Sequence, residues 1–411
     1  MNPLDRLARR ALRGQLARLR YGSVELRESG AAQRFGRGRE AAVAITVRDP
    51  RFYRAVVLGG HVGAAEAYVA EWWTADDLTA LVRLFVRNRA VLDGMEKGWA
   101  RMVQPVRRLW HRSNRNTRRG SRRNIAAHYD LGNDFYSLFL DDTLTYSCGI
   151  FESPDSTLRE ASIAKYDRLC RKLALAPEDH VIEIGTGWGG FALHAARHYG
   201  CRVTTTTISR EQATLAEQRI RAAGLSGRVT VLREDYRDLR GGFDKLVSIE
   251  MIEAVGHEYY RTFFEKCASL LVPHGLMALQ AITIQDRDYE RARREVDFIK
   301  RYIFPGSTIP SISVLATAAS HTDLRIVGLE DITLHYAETL RRWRSNFTTN
   351  WPRIRELGFS EQFRRLWEFY FCYCEGGFRE GALGDVQLVL AKPRAIASGS
   401  LRHEPRRMAV A

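Results

Sequence analysis

HVIEIGTGWGGF, residues 180–191, carries the decisive pattern of this 411-residue chain. A short apolar strand, His180–Gly185, runs into Gly187, Gly189 and Gly190, and a helical stretch, Phe191–Tyr199, follows at once. Glycine tolerates tight turns and lets backbone come close to a ligand, so a strand–turn–helix of this kind can hold a small molecule. The spacing is not G-x-G-x-x-G leading directly into a phosphate-cradling helix. Read alone, the turn could equally be a structural join in some other α/β protein.

Outward from this turn, Arg202–Thr207, Val229–Asp235, Lys245–Glu250 and Leu276–Thr283 read as further strands. Helical stretches Ser209–Ala223 and Tyr259–Leu271 lie between them. Such alternation predicts an α/β fold: a doubly wound, mostly parallel sheet with helices on both faces. Residues 286–345 interrupt the alternation with charged helices, Pro305 and Pro310, and an insertion there would sit over the strand ends, where such sheets bind ligands. Arg325–Thr333 and Asp385–Ala391 would complete the sheet.

The first 100 residues read as a small α+β unit, expected to dock lipid or a membrane surface. Leu4, Leu7, Leu12, Leu16 and Leu19 recur near helical spacing among arginines. Two readings stand: a helix lying on anionic headgroups, or a docked helix with a solvated basic face. Val24–Leu26, Ala41–Val47 and Phe52–Leu58 read as strands, Gly60–Gly63 as a turn, and Gly63–Asn88 as one or two helices. Residues 101–123 hold nine arginines and no acid, which suggests a basic linker to a main domain over 124–393; 394–411 reads as a basic tail.

The formal charge is +15, from 63 basic and 48 acidic residues, which favours an acidic partner or surface. No run of about 18 apolar residues is present, so a membrane span is excluded. The N-terminus has no cleavable signal pattern. Six cysteines without zinc-type spacing fit a reducing cytoplasm, and no metal is expected. The basic runs have little aromatic interleaving and no base-reading motif accompanies them, so no nucleic-acid partner is expected.

The form E-x-G-x-G-x-G resembles motif I of S-adenosylmethionine-dependent methyltransferases, whose cofactor carries no phosphate. Beyond it, AHYDLGNDFYSLFLD (127–141), TYSCGIF (145–151), TISREQ (207–212), DYRDL (235–239), SIEMIEAVG (248–256), YIFPG (302–306) and CEGGFREG (374–381) occur in order. Together they resemble the cyclopropane-fatty-acyl-phospholipid synthases, which include the mycolic acid cyclopropane synthases. The resemblance covers about residues 120–393, and the extra N-terminal unit favours the phospholipid-acting branch.

The resemblance implies a cofactor site at Tyr146, Ser147, Glu183, Gly185, Gly187, Gly189, Thr207, Gln212, Asp235 and Tyr236. Asp235 alone could as well be a helix cap. It implies a bicarbonate ion held by Cys148, Glu253, Gln280, Ile282 and Tyr336, with Gln280 standing where many relatives carry His. Cys374 matches the cysteine traditionally named in the active site, beside catalytic roles for Glu253, Tyr336 and Cys148. The implied reaction adds a methylene across a cis double bond of a phospholipid acyl chain at an anionic bilayer surface, with bicarbonate taking the proton. A methyl-branched or methylene-substituted product is the alternative, and a nucleic-acid methyltransferase a further one. A homodimer and a peripheral position on the inner face of the membrane are also implied. Stabilising a carbocation calls for aromatic faces, for which Tyr146, Trp188, Tyr302, Phe304, Tyr336 and Phe378 are candidates. The apolar setting of Cys374 favours a pocket-lining role over a nucleophilic one.

Overall fold

A computed structural model describes residues 1–38, 42–89, 117, 120 and 131–397. The expected linker, save residues 117 and 120, and the tail beyond residue 397 lie outside the described residues.

The N-terminal leucine periodicity forms α1 (Pro3–Leu16), capped by the Asn2 side chain and opened by proline, whose missing N–H costs nothing there. Ala8, Leu12 and Leu16 are buried while Leu4 and Leu7 are exposed, so the helix docks through one end of its apolar stripe. Strands β1 (Ser23–Glu28), β2 (Ala31–Gly36), β3 (Val43–Val47) and β4 (Trp73–Ala75) make a small sheet in the order β2-β1-β3-β4. Strand β2 was not anticipated, because its side chains are mostly exposed and polar.

The expected strand at Phe52–Leu58 is instead the first half of α2 (Arg51–Val69). Its valines suggest a strand, but Phe52, Tyr53 and Val56 are buried together at helical spacing, and packing overrides β-propensity. The expected turn at Gly60–Gly63 lies within this helix as a kink, with Gly60 at φ 59° and ψ −143°. Helix α3 (Leu78–Arg87) follows, capped by Asp77, and α4 (Asn133–Ser137) is the next helix among the described residues.

The second sheet has seven strands: β5 (His180–Ile184), β6 (Arg202–Thr206), β7 (Val229–Leu232), β8 (Phe243–Ile249), β9 (Leu271–Ile284), β10 (Arg325–Asp331) and β11 (Leu383–Ala391). Their order is β10-β11-β9-β8-β5-β6-β7, with β11 antiparallel to both neighbours and the other pairs parallel. Helices cover both faces, as the alternation requires. On β5, Val181 packs with α5 (Leu158–Lys172) and α6 (Gly190–His198); Ile182 and Ile184 pack with α8 (Tyr260–Leu270). Between β5 and β8 the strand order reverses, which opens a crevice above their carboxyl ends.

The expected single insertion over 286–345 comes in two pieces divided by β10. The first carries α9 (Asp286–Ala292) and α10 (Ile312–Ala319), and α10 buries Leu315, Ala318 and Ala319 against the α8 side of the sheet. The second carries α11 (Thr333–Thr349), α12 (Trp351–Glu356) and α13 (Glu361–Arg379). Helix α13 is also the seam with the N-terminal unit. Arg365 Nε donates to Tyr68 O at 2.7 Å, and Glu380 accepts from Arg83 and Arg87 at 2.7 and 2.8 Å. Among the described residues no helix is long and apolar enough to cross a membrane.

Candidate active site

Strand β5 ends in the turn that the glycines dictate. Gly185, Gly187 and Gly189 have φ of 104°, 51° and 84°, a left-handed region that side chains disfavour. Gly190 is required for space, since a Cβ there would lie 2.3 Å from Tyr166 Oη. A Cβ at Gly187 would meet nothing within 4 Å. Beneath the turn, the buried Glu183 accepts from Thr205 Oγ1 at 2.6 Å, and burial pushes its carboxyl up to about 8.

The next two strand ends supply polar walls. Thr207 Oγ1 donates to Gln212 Oε1 at 2.9 Å, in the first turn of α7 (Arg210–Ala222). Asp235 caps a single 3₁₀ turn, accepting from the Arg237 backbone at 3.0 Å and from its guanidinium at 2.8 and 2.6 Å. It is therefore a cap as well as a cavity-lining residue. The Tyr236 ring packs on Phe263 at 5.6 Å, and its buried hydroxyl has no hydrogen-bond partner among the described residues. Ser147 Oγ accepts from the fully buried Lys165 Nζ at 2.6 Å, and burial draws that ammonium down to about 8. Ser147, Glu183, Gly185, Gly187, Gly190, Thr207, Gln212, Asp235 and Tyr236 line one cavity of about 620 Å³, whereas Gly189 and Lys165 stand behind its surface. A strained glycine turn, polar strand ends and an unpartnered tyrosine hydroxyl fit a nucleoside bearing an amino-acid tail.

Beside the turn, β8 delivers the residue that sequence reasoning missed. Glu250 follows the last residue of β8 at φ 48°, a left-handed conformation that costs a non-glycine residue about 1 kcal/mol or more. Its Oε1 accepts from the Cys148 backbone N–H at 2.8 Å and from Gln280 Nε2 at 2.7 Å; its Oε2 accepts from Tyr336 Oη at 2.7 Å. Ile282 N–H donates to Glu253 Oε1 at 2.6 Å. Every donor expected to hold bicarbonate is thus engaged by a carboxylate of the chain itself. Cys148 and Gln280 are fully buried behind Glu250, off the cavity surface. A third acid, Asp385, is buried against Glu250, and that burial with its charged neighbours pushes its carboxyl well above the ordinary range. A further anion would face three acidic side chains and spent donors, so these residues do not fit a bicarbonate ion. The pair of glutamates three apart in SIEMIE was the available signal.

Glu253 itself forms no helix cap. Its Oε2 is buried without a hydrogen-bond partner among the described residues, and burial beside Glu250 pushes its carboxyl up to about 8. At neutral pH it carries a proton.

The facing wall is aromatic. Tyr336 stacks on Phe378 at 4.5 Å; Tyr146 lies 5.2 Å from Trp343 and hydrogen-bonds Tyr370 through its hydroxyl at 3.1 Å. Trp188 and Phe304 also reach the cavity. Tyr302 does not: its ring is exposed, and its hydroxyl donates to Glu66 at 2.6 Å. Cys374 sits on the lining face of α13 with Tyr370, Tyr373, Gly377 and Phe378. Burial pushes its thiol up, which leaves a weak nucleophile.

A family model described as mycolic acid cyclopropane synthetase matches residues 116–388. The chain is 39% identical over 342 residues to the tuberculostearic acid methyltransferase UfaA1 of Mycobacterium tuberculosis, covering 81% of this chain and 79% of that protein. It is 34% identical over 354 residues to the cyclopropane-fatty-acyl-phospholipid synthase of Escherichia coli, covering 84% and 86%. Among solved structures, mycolic acid cyclopropane synthase CmaA1 complexed with SAH and CTAB superposes with a TM-score of 0.62 at 34% identity, over 66% of this chain and 98% of that one.

Proposed function

The chain belongs to the mycolic acid cyclopropane synthetase family of S-adenosylmethionine-dependent methyltransferases, and from that premise we propose that it methylates the cis double bond of an unsaturated phospholipid acyl chain and releases a methylene-substituted chain, with Glu250 as proton acceptor. The observation that carries this reading is the seat of Glu250 between Cys148 N–H, Gln280 and Tyr336.

An isolated olefin is a weak nucleophile, so the carbon donor must be strongly electrophilic. S-adenosylmethionine, which Gly185, Gly187, Thr207, Gln212, Asp235 and Tyr236 would hold, would supply a methyl group from its sulfonium centre and leave as S-adenosylhomocysteine. The alkyl chain is left with a positive charge beside the new methyl. Tyr336, Phe378 and Tyr146 line the cavity, and aromatic rings there would stabilise this charge and keep water away. Glu250 is placed to take a proton, but three donors already occupy its oxygens, and a carboxylate offers only about four lone-pair positions. Proton loss then lags behind migration of the hydrogen on the methyl-bearing carbon to its cationic neighbour. The positive charge moves to the branched carbon, and loss of a proton from the methyl to Glu250 leaves an exocyclic double bond. Faster proton loss, before hydrogen migration, would close a cyclopropane ring from the same cation.

The arginine excess supports action at an anionic lipid surface, adding about 1 kcal/mol per basic residue close to the headgroups. The test is incubation of the purified protein with S-adenosylmethionine and oleoyl phosphatidylglycerol vesicles. Released fatty acids are then analysed by gas chromatography–mass spectrometry and proton NMR, because ring and methylene products are isomers. Olefinic methylene protons are expected. Cyclopropyl protons would return the reading to ring formation, and unmodified lipid would remove both.

A further inference from the structure

The cavity does not stop at the aromatic wall. It continues past the lining face of α13 into the N-terminal unit, where Leu12 and Leu16 of α1, Ile45 of β3, Phe52 and Val56 of α2 and Leu81 of α3 surround it. Small domains ordinarily fill their own cores to crystal-like density. Here the core of a unit under 100 residues encloses space that is continuous with the reaction centre.

The passage is built into the seam. Gly376 on α13 lets α3 approach so closely that a Cβ there would lie 2.6 Å from Val82 Cγ1. Val82 and Gly377, on the two sides of this contact, both line the cavity. The seam is pinned by Thr79 to Glu375 at 3.3 Å and by Arg365 to the backbone of Tyr68 and Trp73 at 2.7 and 3.3 Å. The N-terminal unit is therefore a fixed wall of the site, although it lies before the family-matched region, which begins at residue 116.

We infer that the N-terminal unit is the receptor for the methyl-terminal hydrocarbon of the substrate, the part of the acyl chain beyond its double bond. This rests on the reading of the substrate as an unsaturated acyl chain. The six lining side chains named above are all apolar and suit hydrocarbon, while His61 and Arg89 are the basic residues that the described part of this unit adds to the lining. A cavity of about 620 Å³ falls within the usual range of small-molecule sites. The chain's free end carries no polar atoms and lies directly beyond the reacting double bond. Along α2, Phe52, Val56, Gly60 and Ala64 stand four residues apart and line this end. The small residues Gly60 and Ala64 leave room that larger ones would fill.

The test uses Ala64→Trp in the full-length protein, with vesicles of two mixed-chain phosphatidylglycerols. Both carry palmitate at one position. The other position holds either oleate or myristoleate, which share a Δ9 cis double bond and differ in length only beyond it. The expected result is a fall in oleoyl methylation of about tenfold or more, with myristoleoyl methylation within about threefold of the wild type. S-adenosylmethionine affinity is expected to be unchanged. Val56→Phe, a smaller intrusion, should shift the same ratio in the same direction and decides the matter if the tryptophan variant does not fold. Equal loss on both lipids, as when the cavity holds the saturated chain, or no change on either, overturns the inference. A wild-type protein that methylates neither lipid overturns instead the substrate reading on which it rests.

Discussion

The two walls of the cavity are built on different terms. The sheet wall consists of strand ends, and each conformation there is constrained: left-handed glycines at Gly185, Gly187 and Gly189, a left-handed Glu250, and buried carboxyls at Glu183, Glu253 and Asp385. The helical wall, from α11, α13 and the N-terminal unit, is aromatic and aliphatic, and its side chains hold each other by packing. One wall holds polar atoms by constrained backbone and hydrogen bonds; the other offers a volume of low polarity. A reaction that joins a charged, hydrogen-bonding donor to a featureless hydrocarbon needs both.

If the sheet wall carries the chemistry, the largest single effect falls there. Glu250→Gln keeps the shape of the side chain and removes the proton acceptor. Product formation is expected to fall about 10²–10⁴-fold, with S-adenosylmethionine affinity within about threefold by calorimetry. Retention of more than a tenth of the activity would assign the proton to another group.

A second, smaller effect concerns stability. The carboxyls of Glu183 and Glu253 sit at about 8 against an ordinary 4.5. A raised carboxyl keeps its proton in the folded chain after the unfolded chain has lost it. The contribution is therefore fully present below about pH 4.5 and is lost as pH rises through about 8. Glu183→Gln removes one of the two, so the decline of melting stability between pH 5 and pH 8 should become shallower, by up to about 1.4 kcal/mol per pH unit. Identical slopes in melting experiments at those pH values would contradict the burial account.

The smallest effect belongs to the helical wall. Cys374→Ala removes a thiol that burial keeps protonated, and turnover is expected to stay within about threefold of the wild type. A loss of about a hundredfold, the scale of a lost acid–base group, would make this wall a chemical participant.

The same contrast governs what was legible in the sequence. Strands β5, β6, β8, β9 and β11, with the helices between them, follow from local periodicity, and the glycine turn follows from residue type alone. The resemblance names Thr207, Gln212, Asp235, Glu253 and Tyr336, and the fold brings these five to one cavity. Glu250 was passed over because its role depends on three donors that come from residues 148, 280 and 336, which only the fold brings together. The helix at Arg51–Val69 was hidden by β-branched residues whose burial is decided by α1, α13 and the small sheet. Tyr302 was counted as a cavity aromatic because its motif reaches the site through Phe304, yet at the end of a π-helical turn its ring points outward.

The central claim, that a carboxylate of the chain occupies the position of an external anion, is tested most directly by removing that anion. Turnover of unsaturated vesicles would be followed in rigorously bicarbonate-free buffer and again with bicarbonate added to millimolar levels. The same rate and the same methylene product are expected in both. A rate that collapses without bicarbonate and is restored by it would contradict the account.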